Sequence, residues 1–150
     1  MLKAIQKKTK ALKKISKNGA NIAAEILMKN DHIIIDMNTD DQLFNKGVDS
    51  TGDRIIASDP YSPFTVGIKK LKGQPTNRVT LKDVGNFHGS FKATKSGSNV
   101  VIGATDSKTK DLVDRYGKDI FGLIKENKEE TRVSYIHPEV SNQISKALKL

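Results

Sequence analysis

The sequence predicts an α+β fold: a small antiparallel sheet with hairpins, packed by a long N-terminal helix and short C-terminal helices. Three observations predict it. Lysines and aliphatic residues alternate at helical spacing over the first thirty residues. Residues 86–93 and 99–104 flank Thr94-Lys95-Ser96-Gly97-Ser98, a hairpin with Gly in its loop. Short helical patterns with their own stop signals then follow to the end of the chain. The order of helix, strands, helix, hairpin and helices favours α+β over a doubly wound sheet. With 150 residues and no internal repeat or low-complexity linker, 1–150 reads as a single domain. In it, 1–30 is a basic amphipathic helical segment and 31–150 the α+β core.

Along the first helix, Lys3, Lys7, Lys10, Lys14 and Lys17 step by four, three, four and three, which places them on one face. Leu2, Ile5, Leu12 and Ile15 form a narrow opposite stripe, continued by Ile22 and Ile26. Gly19 costs roughly 1 kcal/mol relative to Ala inside a helix, so a bend or break is expected at Asn18-Gly19. The compact β-branched run at 32–37 predicts a strand. Residues 42–49 and 54–56 are expected to be two short extended pieces around Ser50-Thr51-Gly52-Asp53, a second hairpin. Ser62-Pro63 opens a short helix, with Ser as N-cap and Pro at the first helical position. Lys72-Gly73 closes it, and Pro75 bars continuation. A helix is predicted over 108–116, stopping at Gly117, and a last amphipathic one over 138–150, with Val140, Ile144, Ala147 and Leu148 on one side.

Composition narrows function by exclusion. There is no Cys, which removes disulfide scaffolds, thiolate zinc sites, cysteine nucleophiles and thiol redox chemistry. The longest aliphatic run, Ile33-Ile34-Ile35, is far short of the ~20 apolar residues of a spanning helix. The basic start is not followed by an apolar h-region, so no secretory leader and no membrane partner are expected. The net charge of +9 is concentrated. Lys3, Lys7, Lys8, Lys10, Lys13, Lys14 and Lys17 precede any acidic residue, and the rest of the chain is near balance. Such a segment suggests phosphate, an anionic membrane surface or an acidic partner as its neighbour. The five lysines of one face are the candidate contacts.

Catalytic and metal motifs fail on inspection. Gly103-Ala104-Thr105-Asp106-Ser107-Lys108-Thr109 resembles the end of a phosphate-binding loop, yet Ile102 and Ser107 stand where the two glycines belong. Asp49-Ser50-Thr51-Gly52-Asp53 suggests a calcium loop, but its Gly is fourth rather than sixth and Pro60 holds the twelfth position that needs Glu. His32, His88 and His137 are scattered singly, and Ser90 lacks the glycines of a nucleophile elbow. The acids of 125–130 are mixed with lysines, as on a solvated face. The expectation is no enzyme, no cofactor and no metal.

The middle of the chain carries a resemblance. Gln42-Leu43-Phe44-Asn45-Lys46-Gly47-Val48-Asp49, then Gly52, Tyr61-Ser62-Pro63-Phe64-Thr65, Lys69 and Gly73-Gln74-Pro75, leads to Val79-Thr80-Leu81-Lys82-Asp83-Val84-Gly85-Asn86-Phe87-His88-Gly89-Ser90-Phe91. This run resembles the L-x-D-T-G-x-(L/F)-x-x-S segment of tailed-phage tail-completion and virion-morphogenesis (head–tail connector) proteins. Val84 stands where the pattern has Thr. The similarity extends through Leu112-Val113-Asp114-Arg115-Tyr116-Gly117 and covers about residues 42–127. It implies a structural virion protein, a ring-forming subunit at the neck or the top of the tail, and no cofactor or catalysis. It also implies a homo-oligomeric ring touching other neck, portal or tail proteins and located in the virion, with the host cytoplasm as its place of assembly. The motif residues are Gln42, Gly47, Asp49, Gly52, Tyr61, Ser62, Pro63, Asp83, Gly85, Phe87, Ser90, Phe91, Tyr116 and Gly117. From their chemistry, Asp83 is expected to cap a turn, and Gly85 to supply a backbone angle closed to other residues. Phe87, Gly89 and Phe91 are expected to alternate with Asn86, His88 and Ser90 on a strand. The lysine face would then line a DNA conduit or meet an acidic neighbour. The alternative is a small basic protein that binds nucleic acid without sequence preference.

Overall fold

A computed structural model describes residues 1–56 and 61–149. The architecture is mixed helix and sheet: helices ordered around what is, among the described residues, a single two-stranded antiparallel hairpin. Helix α1 (Leu2–Lys17) ends at Asn18, and α2 (Gly19–Lys29) starts at the Gly that breaks the run. Next come α3 (Asp31–Asp36) and a π-helical segment (Met37–Lys46), then α4 (Pro63–Leu71) and the single turn α5 (Asn86–Gly89). Strands β1 (Phe91–Ser96) and β2 (Asn99–Ala104) pair from Phe91↔Ala104 to Ser96↔Asn99. They are followed by α6 (Thr109–Tyr116), a 3₁₀ turn (Lys118–Ile120), α7 (Lys125–Thr131), a short π-helical segment (Arg132–Ile136) and α8 (His137–Leu148).

Several sequence signals act locally as expected. Ser62 accepts a hydrogen bond from Thr65 N at 3.1 Å, and Pro63 begins α4. Gly97, at φ +61, opens the two-residue turn between β1 and β2. Helix α6 stops at Gly117, and α8 covers the predicted C-terminal helix. Leu150, the end of that prediction, and Pro60, the twelfth position of the rejected calcium loop, lie outside the described residues.

Three expectations are corrected. Residues 32–37 are helical, not a strand. Ile34 is buried in the core while Ile33 and Ile35 are only half-buried, so core packing of a helical face overrides the β preference of a three-isoleucine run. Residues 42–46 are π-helical rather than extended, and the second hairpin shrinks to one bridge, Val48↔Arg54. Its loop is held by Asp49, whose Oδ1 accepts from Thr51 N at 2.9 Å and Thr51 Oγ1 at 2.6 Å. Residues 86–89 form a helical turn, so the expected two-faced alternation is absent. Phe87, His88 and Phe91 are all buried, the i, i+1, i+4 grouping of a helical surface.

The core joins Ile34, Leu43, Ile55, Val79, Phe87, Phe91, Ile102, Ile120 and Leu123. Phe91 packs edge-on against Phe87 at 5.1 Å between ring centres and lies 5.2 Å from Phe121. A buried amide clamp crosses this core. Asn38 Nδ2 donates to Ile120 O (3.1 Å) and its Oδ1 accepts from Gly122 N (2.9 Å). One helical turn on, Gln42 Nε2 donates to Gly122 O and its Oε1 accepts from Ile124 N, both at 2.9 Å. Two side chains four residues apart thus pair alternate residues of 120–124 as a neighbouring strand would, satisfying buried backbone groups that no strand reaches.

Candidate interaction surfaces

Helix α1 displays its charge. Lys3, Lys7, Lys10, Lys14 and Lys17 are all exposed, and no carboxylate pairs with any α1 lysine among the described residues. The helix packs on α8 and α2 through its C-terminal half, where Ala11 and Ile15 are half-buried, but none of its residues is buried. The apolar stripe of its first three turns is uncovered: Leu2 is 69% exposed, Ile5 55% and Leu12 36%. A helix of this length is marginal without burying an apolar face. Ile22 and Ile26 do not continue that open stripe, because Ile26 is buried beyond the Asn18 break.

The motif residues mostly hold backbone. Gln42 is half of the amide clamp. Gly47, at φ +65, ends the π-helical segment, and Ile55 N donates to its carbonyl at 2.9 Å. A Cβ at Gly47 would lie 2.9 Å from Arg78 Cβ, so the position is closed on both counts. Asp49 and Gly52 (φ +91) shape the loop before Arg54. Tyr61 Oη donates to Arg78 O at 3.4 Å, while Ser62 and Pro63 start α4. Gly85 sits at φ +98 immediately before α5, as its chemistry predicts. Asp83 does not cap that turn with its side chain. Its carboxylate pairs with Lys72, which holds it below the usual carboxylate range, and its carbonyl accepts from Gln74 Nε2 at 2.7 Å. Phe87 and Phe91 are core. Ser90 Oγ donates to Phe87 O (2.8 Å) and accepts from Asp106 N (3.0 Å), tying α5 to the end of the hairpin. Tyr116 packs against the core, and Gly117 (φ +84) ends α6. The loop that resembles a phosphate cradle is occupied by its own acid: Asp106 Oδ1 accepts from Lys108 N at 2.8 Å.

Sequence reasoning missed a cleft of about 320 Å³ between α4 and α6, lined by Tyr61, Lys69, Leu81, Lys108 and Tyr116 among others. Lys69 is only 9% exposed. Its Nζ donates to the Thr80 hydroxyl at 3.3 Å and stands 5.1 Å from the Tyr61 ring centre, and burial pushes its pKa down. Leu81 beside it adopts φ +52, a left-handed angle that a branched side chain resists. His88 Nε2 donates to Thr80 O at 2.9 Å, leaving Nδ1 buried without a partner among the described residues, and burial lowers its pKa. The one sequence signal for this cleft was Lys69 on the apolar side of α4, which reads as an ordinary surface lysine. Chemically it sets Lys69, Lys82 and Lys108 beside Asp83 and Asp106 between aromatic walls, a mixed lining that favours no one charge.

Among the described residues no three His, Asp or Glu side chains converge as metal ligands, and no helix is long and apolar enough to cross a membrane. Comparison with protein-family models, with curated proteins and with solved structures finds no match for this chain.

Proposed function

We propose that this chain is a structural, non-enzymatic subunit of a tailed-phage particle that forms a homo-oligomeric ring at the neck or the top of the tail. One observation carries the proposal: α1, packed on α8 and α2 only through its C-terminal half and with no residue buried, exposes Leu2, Ile5 and Leu12 as a surface that needs another molecule. The resemblance of Leu81–Ser90 to the tail-completion segment says what kind of molecule. That the motif residues serve turns, caps and core contacts supports a building block over a catalyst. Ring subunits meet through heterologous surfaces that close. Light scattering over a range of concentrations is expected to give a discrete ring-sized mass, and mass spectrometry of purified virions to find the chain. Virions without it refute the assignment.

Nucleic-acid binding is a second reading, favoured by the unpaired five-lysine face. If these lysines neutralise five phosphates, log K falls against log salt with a slope of about −4.5 on duplex DNA. Replacing Lys3, Lys7, Lys10, Lys14 and Lys17 by Gln then removes binding. Lost DNA retention with intact particle assembly favours this reading; failed head–tail joining favours the ring.

A further inference from the structure

On the body of the chain, α3, the following π-helical segment and α7 border an open groove walled by Asp36, Asp40, Asp41, Glu126 and Glu130, with Lys46 as its one cation among the described residues. Its apolar contributions are Ile33, Met37 and Tyr135, all half-buried. Asp41 is already engaged, accepting from Lys46 Nζ at 2.8 Å and Asn127 Nδ2 at 3.0 Å. Asp36, Asp40, Glu126 and Glu130 have no ion-pair partner among the described residues. They come as two pairs four residues apart, so each wall stacks its acids one helical turn from the next.

Helix α1 is the complement of this groove. It carries seven lysines, no acid and an uncovered apolar stripe, over a length of about 24 Å. Lys8, three residues from Ile5 and four from Leu12, flanks the stripe on one side, and Lys13 flanks it on the other. Within one copy α1 is held against α8 and α2, and none of its residues lines the groove. Pairing two α1 helices along their stripes would set lysine against lysine. We propose that α1 of one copy lies in the acidic groove of the next, with Leu2, Ile5 and Leu12 on Ile33, Met37 and Tyr135. Lys8 and Lys13 reach the acids of the two walls. The contact is head-to-tail, each copy giving a helix and receiving one, which is the geometry a closed ring requires. The face of Lys3, Lys7, Lys10, Lys14 and Lys17 then turns away from the groove and stays open to phosphate. The inference rests on the ring assignment and specifies its interface.

Charge reversal at exposed positions tests it in the full chain. Lys8→Glu with Lys13→Glu, or Glu126→Lys with Glu130→Lys, is expected to reduce the ring-sized mass to the 16.5 kDa monomer, with the circular dichroism spectrum unchanged. Adding Asp36→Lys and Asp40→Lys to those four in one chain reverses both walls together with the helix, and is expected to restore the ring mass. Because the chain has no cysteine, Ile5→Cys and Met37→Cys in separate copies give a second readout: oxidation of the mixture yields the heterodimer. If the parent forms rings that both reversals leave intact, the interface lies elsewhere and this inference fails while the ring assignment stands. Cross-linking of Ile5→Cys to itself in preference to Met37→Cys shows symmetric helix pairing and also overturns it. A parent that stays monomeric at every concentration removes the ring and this interface together.

Discussion

Replacing Gln42 by Leu keeps the volume of a fully buried side chain and deletes its amide. Gly122 O and Ile124 N each lose a partner at 2.9 Å, while Asn127 keeps its bond to Asp41 at 3.0 Å. An orphaned buried backbone group costs about 1–3 kcal/mol, so two of them cost roughly 2–6 kcal/mol before Leu burial offsets part. A net loss of about 3 kcal/mol is expected, against a total of about 5–15 kcal/mol for an ordinary domain. In urea, with a slope near 2 kcal/mol/M, the midpoint drops by about 1.5 M at unchanged slope. Gln42→Glu adds a control. Ionised, it turns a carboxylate oxygen toward Gly122 O; protonated, its O–H can donate there as the amide does. Its deficit relative to the parent therefore shrinks as pH falls into the carboxylate range. If Gln42→Leu unfolds within about 0.5 kcal/mol of the parent, the clamp carries no stability and the account of 120–124 is wrong.

Gly47→Ala combines a left-handed angle with a Cβ 2.9 Å from Arg78 Cβ, whereas Gly85→Ala has the angle but open space. Both destabilise, Gly85→Ala by about 1 kcal/mol and Gly47→Ala by more, as chemical denaturation will show. Burial lowers the His88 pKa below 6.5, so protons bind the unfolded chain more readily than the folded one. Stability is therefore full above pH 6.5 and falls as pH drops below it, levelling off once the folded-state pKa is passed; His88→Gln is expected to flatten this segment of a stability–pH profile. Lys69→Met keeps the stem against Tyr61 and removes a buried charge, with an expected change between zero and a gain of about 1 kcal/mol in thermal or urea unfolding.

Local chemistry was legible wherever a residue decides its own backbone. Ser62-Pro63, Gly97, Gly117 and the break at Asn18-Gly19 each act within a few residues, through a cap, a left-handed angle or a helix interruption. The lysine face of α1 was legible for the same reason, since spacing alone places side chains on a helix. What failed were segments whose state depends on distant partners. Ile33-Ile34-Ile35 is helical because Ile34 faces a core assembled from Leu43, Phe87 and Ile120, which no window of that run contains.

The candidate surfaces divide along the same line. The sequence by itself determined an exposed basic helix, the punctuation of the chain and an α+β composition. Only the tertiary structure decided that Asn38 and Gln42 pair with residues some eighty positions away, and that Lys69 is buried beside Thr80 and Tyr61. It also decided that the acids of α3, the adjoining π-helical segment and α7 share one groove. The physical reason is that caps and turns are satisfied by neighbours in the chain, whereas burial, hydrogen-bond partnership and charge complementarity are satisfied by neighbours in space.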